Sequence, residues 1–372
     1  MLRKISLLLF SALLVHISFA QTTRLQLLLD SLQVTGNFPG LSVAIVNKDN
    51  TSVALVSGYN DKQKNELLTT SDRMLQGSVG KTYVSAVALQ LIQKGKINLD
   101  EKVSAYLGQY EWYNRIPNAA TITVRMLMNH TSGVMRYEFK EQFLKDLTAD
   151  PGKTWNPEEL ISYVLDEKAP FSAGDGWDYS DTNYILLGMI IEKISGEKYY
   201  DLLKRDILQP LQLLNTFPSD NRNLKGLAQG YAGEANEFGG KNKVIGDDGL
   251  FIINPQFEWT GGGIYSTTED LAKWGKLLYE GKIIDTALLF SSAVSAKLGK
   301  DTKYGLGVII RPTSLGIAYG HSGFFPGYMT ELLYFPANRM CVAIQCNSSD
   351  YKKLKISLLK CLIEIAKEVK NL

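Results

Sequence analysis

Strand-like runs occupy both ends of this chain, and a long helical block lies between them. Leu41–Asn47 and Ser52–Tyr59, separated by Lys48-Asp49-Asn50-Thr51, read as a β-hairpin. Toward the other end, Tyr304–Ile310, Leu315–Tyr319, Tyr328–Phe335 and Met340–Cys346 follow one another at hairpin spacing. Between them, from about residue 100 to 215, helical patterns dominate, broken by prolines at 117, 151, 157, 170 and 210. Residues 22–37 and Lys352–Lys370 read as amphipathic helices. One sheet assembled from both ends and covered by the terminal helices is the economical solution. The expected fold class is therefore α+β: an antiparallel sheet built from both chain ends, flanked by helices, with an all-helical domain inserted over about 100–215. A cleft forms where the two parts meet, the usual place for a ligand.

The first twenty residues point to export. Arg3 and Lys4 precede an apolar run from Ile5 to Leu14, and Ser18-Phe19-Ala20 places small residues before Gln21. That is the pattern of a cleavable signal peptide over 1–20, cut after Ala20, and it implies a secreted or periplasmic protein. The remaining body, 21–372, is long enough for one large or two intimately packed domains. Without Arg3 and Lys4 it carries 38 basic and 38 acidic side chains, so no charge excess marks it for nucleic acid or an anionic membrane. No later apolar run approaches the ~20 residues of a membrane span. Cys341, Cys346 and Cys361 are an odd set with no obvious disulfide framework. The first two, five apart on one expected strand, face opposite sides. With three histidines in all and no H-E-x-x-H, neither a metal nor a cofactor is expected.

Ser78-Val79-Gly80-Lys81 opens an apolar helical stretch, residues 82–94, that runs to Gly95. Residues i and i+3 share a helix face, so Ser78 and Lys81 point together. A hydroxyl becomes a nucleophile when a neighbour takes its proton, and a helix start favours a developing oxyanion. The same residues end like a phosphate-binding G-x-x-x-x-G-K-[ST] loop. That pattern needs glycine at position 75, where Leu75 stands, and the polar Thr69–Arg73 is no buried strand feeding a phosphate cradle.

Two further groups carry candidate chemistry. Tyr179-Ser180-Asp181 precedes the apolar helical stretch Thr182–Ile194; its phenol can serve as a proton acceptor near a lysine, while Asp181 is alternatively a simple helix cap, with Asn183 two residues on. His321-Ser322-Gly323 follows an expected strand. There Gly323 permits close approach of a substrate, Phe324 N–H can join Ser78 N–H as an oxyanion donor, and His321 can orient a carboxylate or donate a proton.

In this order, S-x-x-K, Y-x-D and H-S-G, the chain resembles the serine β-lactamase and penicillin-recognising DD-peptidase superfamily, in particular its class C-like branch with related esterases. Asn129-His130-Thr131-Ser132-Gly133, Tyr179–Tyr184 and the run from Gly261 to Trp274 are similar to that branch as well. The resemblance implies that Ser78 is acylated, that Lys81 shares its proton with burial lowering the ammonium pKa, and that Tyr179 is the base in acylation and the acid toward the leaving group. Asp181 stands where the family usually has asparagine; a carboxylate there holds Lys81 protonated and shifts the burden to Tyr179. His321 replaces the lysine of β-lactamases and is only partly charged at neutral pH. Asp181, His321, Ser322, Gly323 and Phe324 are thus the expected substrate and oxyanion contacts. The implied activity is an acyl-enzyme hydrolase of D-Ala-D-Ala-type peptides, esters or β-lactams, with carboxypeptidase or esterase action favoured over efficient β-lactamase action. The substrate would be a small molecule or peptide, such as a peptidoglycan stem peptide. The alternative is a non-catalytic penicillin or cell-wall sensor on the same fold.

Overall fold

The structure, a computed structural model, describes residues 21–234, 236 and 241–370; the expected signal peptide lies outside them. Among the described residues, nine strands form one antiparallel sheet in the order β3-β2-β1-β12-β11-β10-β9-β8-β7. They are β1 (Gly40–Val46), β2 (Ser52–Asp61), β3 (Glu66–Leu67), β7 (Val294–Ser295), β8 (Lys303–Tyr304), β9 (Ile309–Thr313), β10 (Gly316–Phe325), β11 (Tyr328–Phe335) and β12 (Met340–Cys346). The N-terminal hairpin joins the C-terminal strands where β1 pairs with β12, Val43 opposite Ile344. Both strands are buried along their whole length. Covered on both faces, such strands read as continuous apolar runs instead of an alternating pattern. A second sheet, β4-β6-β5, consists of Met74–Leu75, Ile264–Ser266 and Thr216–Pro218. Strands of two or three residues leave no period to detect, and the sequence gives no warning of it.

Two cores lie on the two faces of the large sheet. On one, Leu25, Leu29 and Leu32 of the helix over residues 21–36 meet Cys361, Leu362 and Ile365 of the helix Leu358–Lys370. That last helix starts six residues later than the sequence pattern suggests. On the other face lie the helices Thr268–Tyr279 and Lys81–Gln93, tied where the Tyr83 ring stacks on Trp274 at 4.0 Å and Trp274 Nε1 donates to Thr82 Oγ1. All three cysteines are free and buried, with Cys341 and Cys346 in opposite cores.

Helices and turns dominate the chain between β4 and β5. The longest helix there, Asp181–Ser195, is buried without interruption from Asp181 to Ile191 and stops at Gly196, whose φ of 73° is a left-handed cap. A helix buried all round carries a weak amphipathic signature, as expected for one that crosses a core. Its N-terminus, the edge of β10 and the turn that precedes Lys81–Gln93 converge on one cleft.

Candidate active site

Ser78 sits in a 3₁₀ turn, Gly77–Gly80, that feeds directly into the helix Lys81–Gln93. Tighter winding eclipses residues three apart, so the serine and lysine side chains meet. Lys81 Nζ donates to Ser78 Oγ at 3.1 Å; Ser78 remains partly open to solvent while Lys81 is fully buried. The lysine also donates to the Gly261 carbonyl and to Asp181 Oδ1.

Asp181 is not a helix cap. Its carboxylate lies between two cations, Lys81 on one oxygen and Arg136 Nη2 on the other at 3.0 Å. Burial alone would lower the ammonium of Lys81. The Asp181 charge, reinforced by Tyr179 and Glu258, overrides it and leaves Lys81 above the ordinary lysine value. The expectation that burial lowers the Lys81 ammonium is therefore corrected, while the expectation that a carboxylate at position 181 holds the lysine protonated agrees with this shift. Burial likewise opposes the charge on Asp181, but Lys81 and Arg136 hold its carboxyl well below the usual range. Arg136 is itself shared with Glu138, whose buried carboxyl is pushed well above the ordinary value by desolvation and by Asp181.

Tyr179 stands over this pair, its ring 4.9 Å from Lys81 Nζ. Burial pushes its phenol up to about 12 against the pull of the Lys81 charge. Its buried hydroxyl makes no hydrogen bond of standard geometry, but it lies close enough to Ser78 and Lys81 that both favour its ionised form. Beneath it lies the His130 ring, 4.2 Å between centroids. Nδ1 of His130 accepts from Ser180 N–H at 3.2 Å and contacts the Asn183 amide at 3.1 Å, which places the ring proton on Nε2. Asn183 also accepts from Ser132 Oγ at 2.6 Å, so it fixes the Asn129–Gly133 segment and does not substitute for Asp181 at the lysine.

The third group divides along β10. Alternation sends His321 and Gly323 to the cleft face, and Ser322 and Phe324 to the face of the terminal helices. Ser322 Oγ accepts from Arg311 Nη2 at 2.9 Å and donates to Glu331 Oε2 at 2.8 Å, both on that far face. The Ser322 side chain is thus no substrate contact. His321 faces the cleft but is buried: Nδ1 donates to the Ser322 carbonyl at 2.6 Å, and Nε2 accepts from Tyr304 Oη at 2.9 Å. Burial, aided by the Lys81 charge, pushes it down to about 3. His321 is neutral and fully engaged, which overturns its expected part charge and its expected grip on a carboxylate.

Gly323 and Phe324 contribute backbone. A Cβ on Gly323 would lie 1.9 Å from the Gln76 carbonyl, so only glycine lets β10 run this close to the serine turn. A Cβ on Gly77, at φ 51°, would lie 2.4 Å from the Phe324 carbonyl oxygen. Phe325 and Tyr328 close a two-residue turn, and Phe324 opposite Met329 is the next pair back. Alternation of the ladder then aims the Phe324 amide away from β11, into the corner shared with Ser78.

Three contributors escape the sequence reading: Arg136, Glu138 and Glu258. The first two follow Asn129–Gly133 by a few residues. Glu258 lies in a 3₁₀ turn, Pro255–Gly261, directly before the glycine run. Burial and the Asp181 charge push it up to about 8, although Lys81 and Arg136 oppose them.

A nucleophile-bearing helix start, a buried lysine, a facing phenol and a strand edge, set between a sheet and a helical block, define a serine hydrolase of the β-lactamase fold. The sequence profile of the beta-lactamase family matches residues 25–357, and the chain belongs to that family. Penicillin-binding protein 4* of Bacillus subtilis (strain 168) is 26% identical over 320 residues, 82% of this chain and 67% of that one. Among solved structures, D-amino acid amidase from Ochrobactrum anthropi SV3 superposes with a TM-score of 0.80 at 24% identity, covering 95% of this chain and 99% of that one. A D-stereospecific amidohydrolase from a Streptomyces species gives 0.76 at 24% identity, covering 93% and 97%.

Proposed function

We propose that this protein is an exported hydrolase that acylates Ser78 and then hydrolyses the acyl-enzyme. The observation that carries the reading is the Lys81 Nζ to Ser78 Oγ contact, with the Tyr179 hydroxyl near both groups. Lys81 holds the serine oxygen in place and stabilises negative charge on it. As Ser78 Oγ forms its bond to the substrate carbonyl carbon, its proton passes to Tyr179 Oη, and the phenol's own proton goes to the departing amine or alcohol. A neutral phenol can relay a proton in this way without first becoming a phenolate. The carbonyl oxygen, now negative, lies at the Ser78 and Phe324 amides. Water then attacks the acyl group through the same relay.

Of the acyl donors expected, esters and amides fit better than carboxylate-bearing β-lactams or D-Ala-D-Ala peptides. Lys81 and Arg136 are both already engaged by Asp181, Arg136 also by Glu138, and burial pushes the His321 imidazole down, so no unengaged cation waits for a carboxylate among these groups. Relatives named for D-amino acid amidase and D-stereospecific amide hydrolysis support amide substrates with D-residues. Purified protein should hydrolyse p-nitrophenyl acetate and D-amino acid amides faster than nitrocefin. Equal rates for wild type and Ser78→Ala on every substrate would defeat the reading. Export rests on the 1–20 pattern, and an N-terminus at Gln21 in protein recovered outside the cytoplasm is the expected result.

A further inference from the structure

Two carboxyl groups, Glu138 and Asp181, are held side by side behind the nucleophile. Arg136 gathers them along one edge of its guanidinium: Nε donates to Glu138 Oε1, and the neighbouring Nη2 donates to Asp181 Oδ2 at 3.0 Å. The two carboxyls are also in direct hydrogen-bond contact. Carboxylates only accept, so a bond between them requires a proton on one. Glu138 Oε2 shows where that proton belongs. The atom is buried, and among the described residues no N–H or O–H donates to it. As a bare carboxylate oxygen it would be unsatisfied and would face a second negative charge. A proton on Oε2 removes both penalties.

The cations favour the same assignment. Asp181 meets two of them, Lys81 on Oδ1 and Arg136 on Oδ2, and both stabilise its ionised form. Glu138, with a side chain only 14% exposed, has an ion-pairing contact with Arg136 alone among the described residues. We propose that Glu138 is a neutral acid at neutral pH, a positioning residue whose Oε2–H donates to Asp181 and so keeps that carboxylate on Lys81 and Lys81 beside Ser78. This rests on the acyl-enzyme reading above and adds to it the group that steadies the counter-charge of the lysine. The raised proton affinity of Glu138, caused by burial and by Asp181, agrees with it. Of the other ionisable groups here, Tyr137 adjoins Glu138 in the chain, while Lys81, Tyr179 and Glu258 act on Asp181. Were Glu138 to ionise, Asp181 would lose a donor and gain a repelling neighbour, and its grip on Lys81 would loosen.

The test compares two variants by the rate at which a fluorophosphonate labels Ser78 at neutral pH. Glu138→Gln carries an amide that still accepts from Arg136 and donates to Asp181; Glu138→Ala does neither. Glu138→Gln should stay within about threefold of wild type, and Glu138→Ala should be slower by about tenfold or more. If Glu138 is instead the ionised half of a salt bridge with Arg136, both variants will be equally slow, and the proposal is overturned. Wild-type speed in Glu138→Ala overturns it as well. A second measurement needs neither rates nor a well-folded alanine variant. In protein with isotopically labelled glutamate carboxyls, the NMR resonance that Glu138→Gln removes should lie at the protonated position at neutral pH; a carboxylate position contradicts the proposal. Absence of Ser78 labelling in the wild type would sink the acyl-enzyme reading, and the Glu138 resonance would still decide where the proton sits.

Discussion

On the helical side of the cleft, Lys81, Asp181 and Arg136 bring full charges into a buried cluster. On the sheet side, β10 offers main-chain groups and a histidine stripped of charge. Breaking a buried ion pair leaves an uncompensated charge in a poor solvent, at a cost of about 3–5 kcal/mol. A strand edge that works through backbone amides is indifferent to most changes in its side chains. The two walls should therefore respond very differently to substitution, the helical one steeply and the sheet one weakly.

The steepest response is expected at the nucleophile. Ser78→Ala should lower ester turnover by roughly 10⁴-fold or more while leaving the melting temperature close to wild type, as steady-state kinetics and calorimetry would register. Asp181→Ala comes next. It strips the buried Lys81 of its main counter-charge, and denaturant titration should show a loss of about 3–5 kcal/mol. In the same variant burial prevails over the remaining charges, so the lysine should titrate below its ordinary value, readable by NMR of its side chain. A stability within 1 kcal/mol of wild type, itself about the worth of one hydrogen bond, would break the contrast between the walls.

Smaller effects test the pH dependence. Glu258 has a folded value of about 8 against 4.5 when free, so folding binds its proton more tightly than unfolding does. Its contribution to stability is complete below pH 4.5 and is lost as pH rises through 8; Glu258→Gln should flatten that alkaline decline in a melting-temperature series. His321 has the opposite sign, with a folded value of about 3 against 6.5. Its contribution is present above pH 6.5 and is lost as pH falls toward 3, so His321→Gln should flatten the acid limb. Turnover of a neutral ester by that variant should stay within about tenfold of wild type, because a histidine bound to Tyr304 and its neighbour's carbonyl handles no proton of the reaction. The smallest change is expected for Ser322→Ala. Its hydroxyl serves Arg311 and Glu331 on the far face, so a loss of about 1 kcal/mol in stability with near-normal kinetics is the expected result.

The contrast also explains what the sequence discloses. Period-two and apolar runs mark β1, β2 and β10–β12, and the antiparallel sheet built from both ends follows from them. The Ser78 and Lys81 spacing is local, and three residues of tight helix suffice to predict their contact. Arg136 and Glu258 are different. They reach Asp181 and its surroundings from 45 and 77 residues away in the sequence, out of loops with no period, and only the folded chain brings them there. The state of His321 is hidden for the same reason: its charge depends on burial and on Tyr304, seventeen residues back, not on the identity of the side chain alone. Ser322 falls to simple alternation along a strand, which places neighbours of one motif on opposite faces.

The central claim is that Ser78 carries the acyl group, with Lys81 beside it held toward its charged form by Asp181. Acid-quenched mass spectrometry after brief exposure to a p-nitrophenyl ester, with peptide mapping, tests it directly. The account predicts a single acyl group on the peptide that contains Ser78, absent from Ser78→Ala. An acyl group on another residue, or full turnover with none on Ser78, would contradict it.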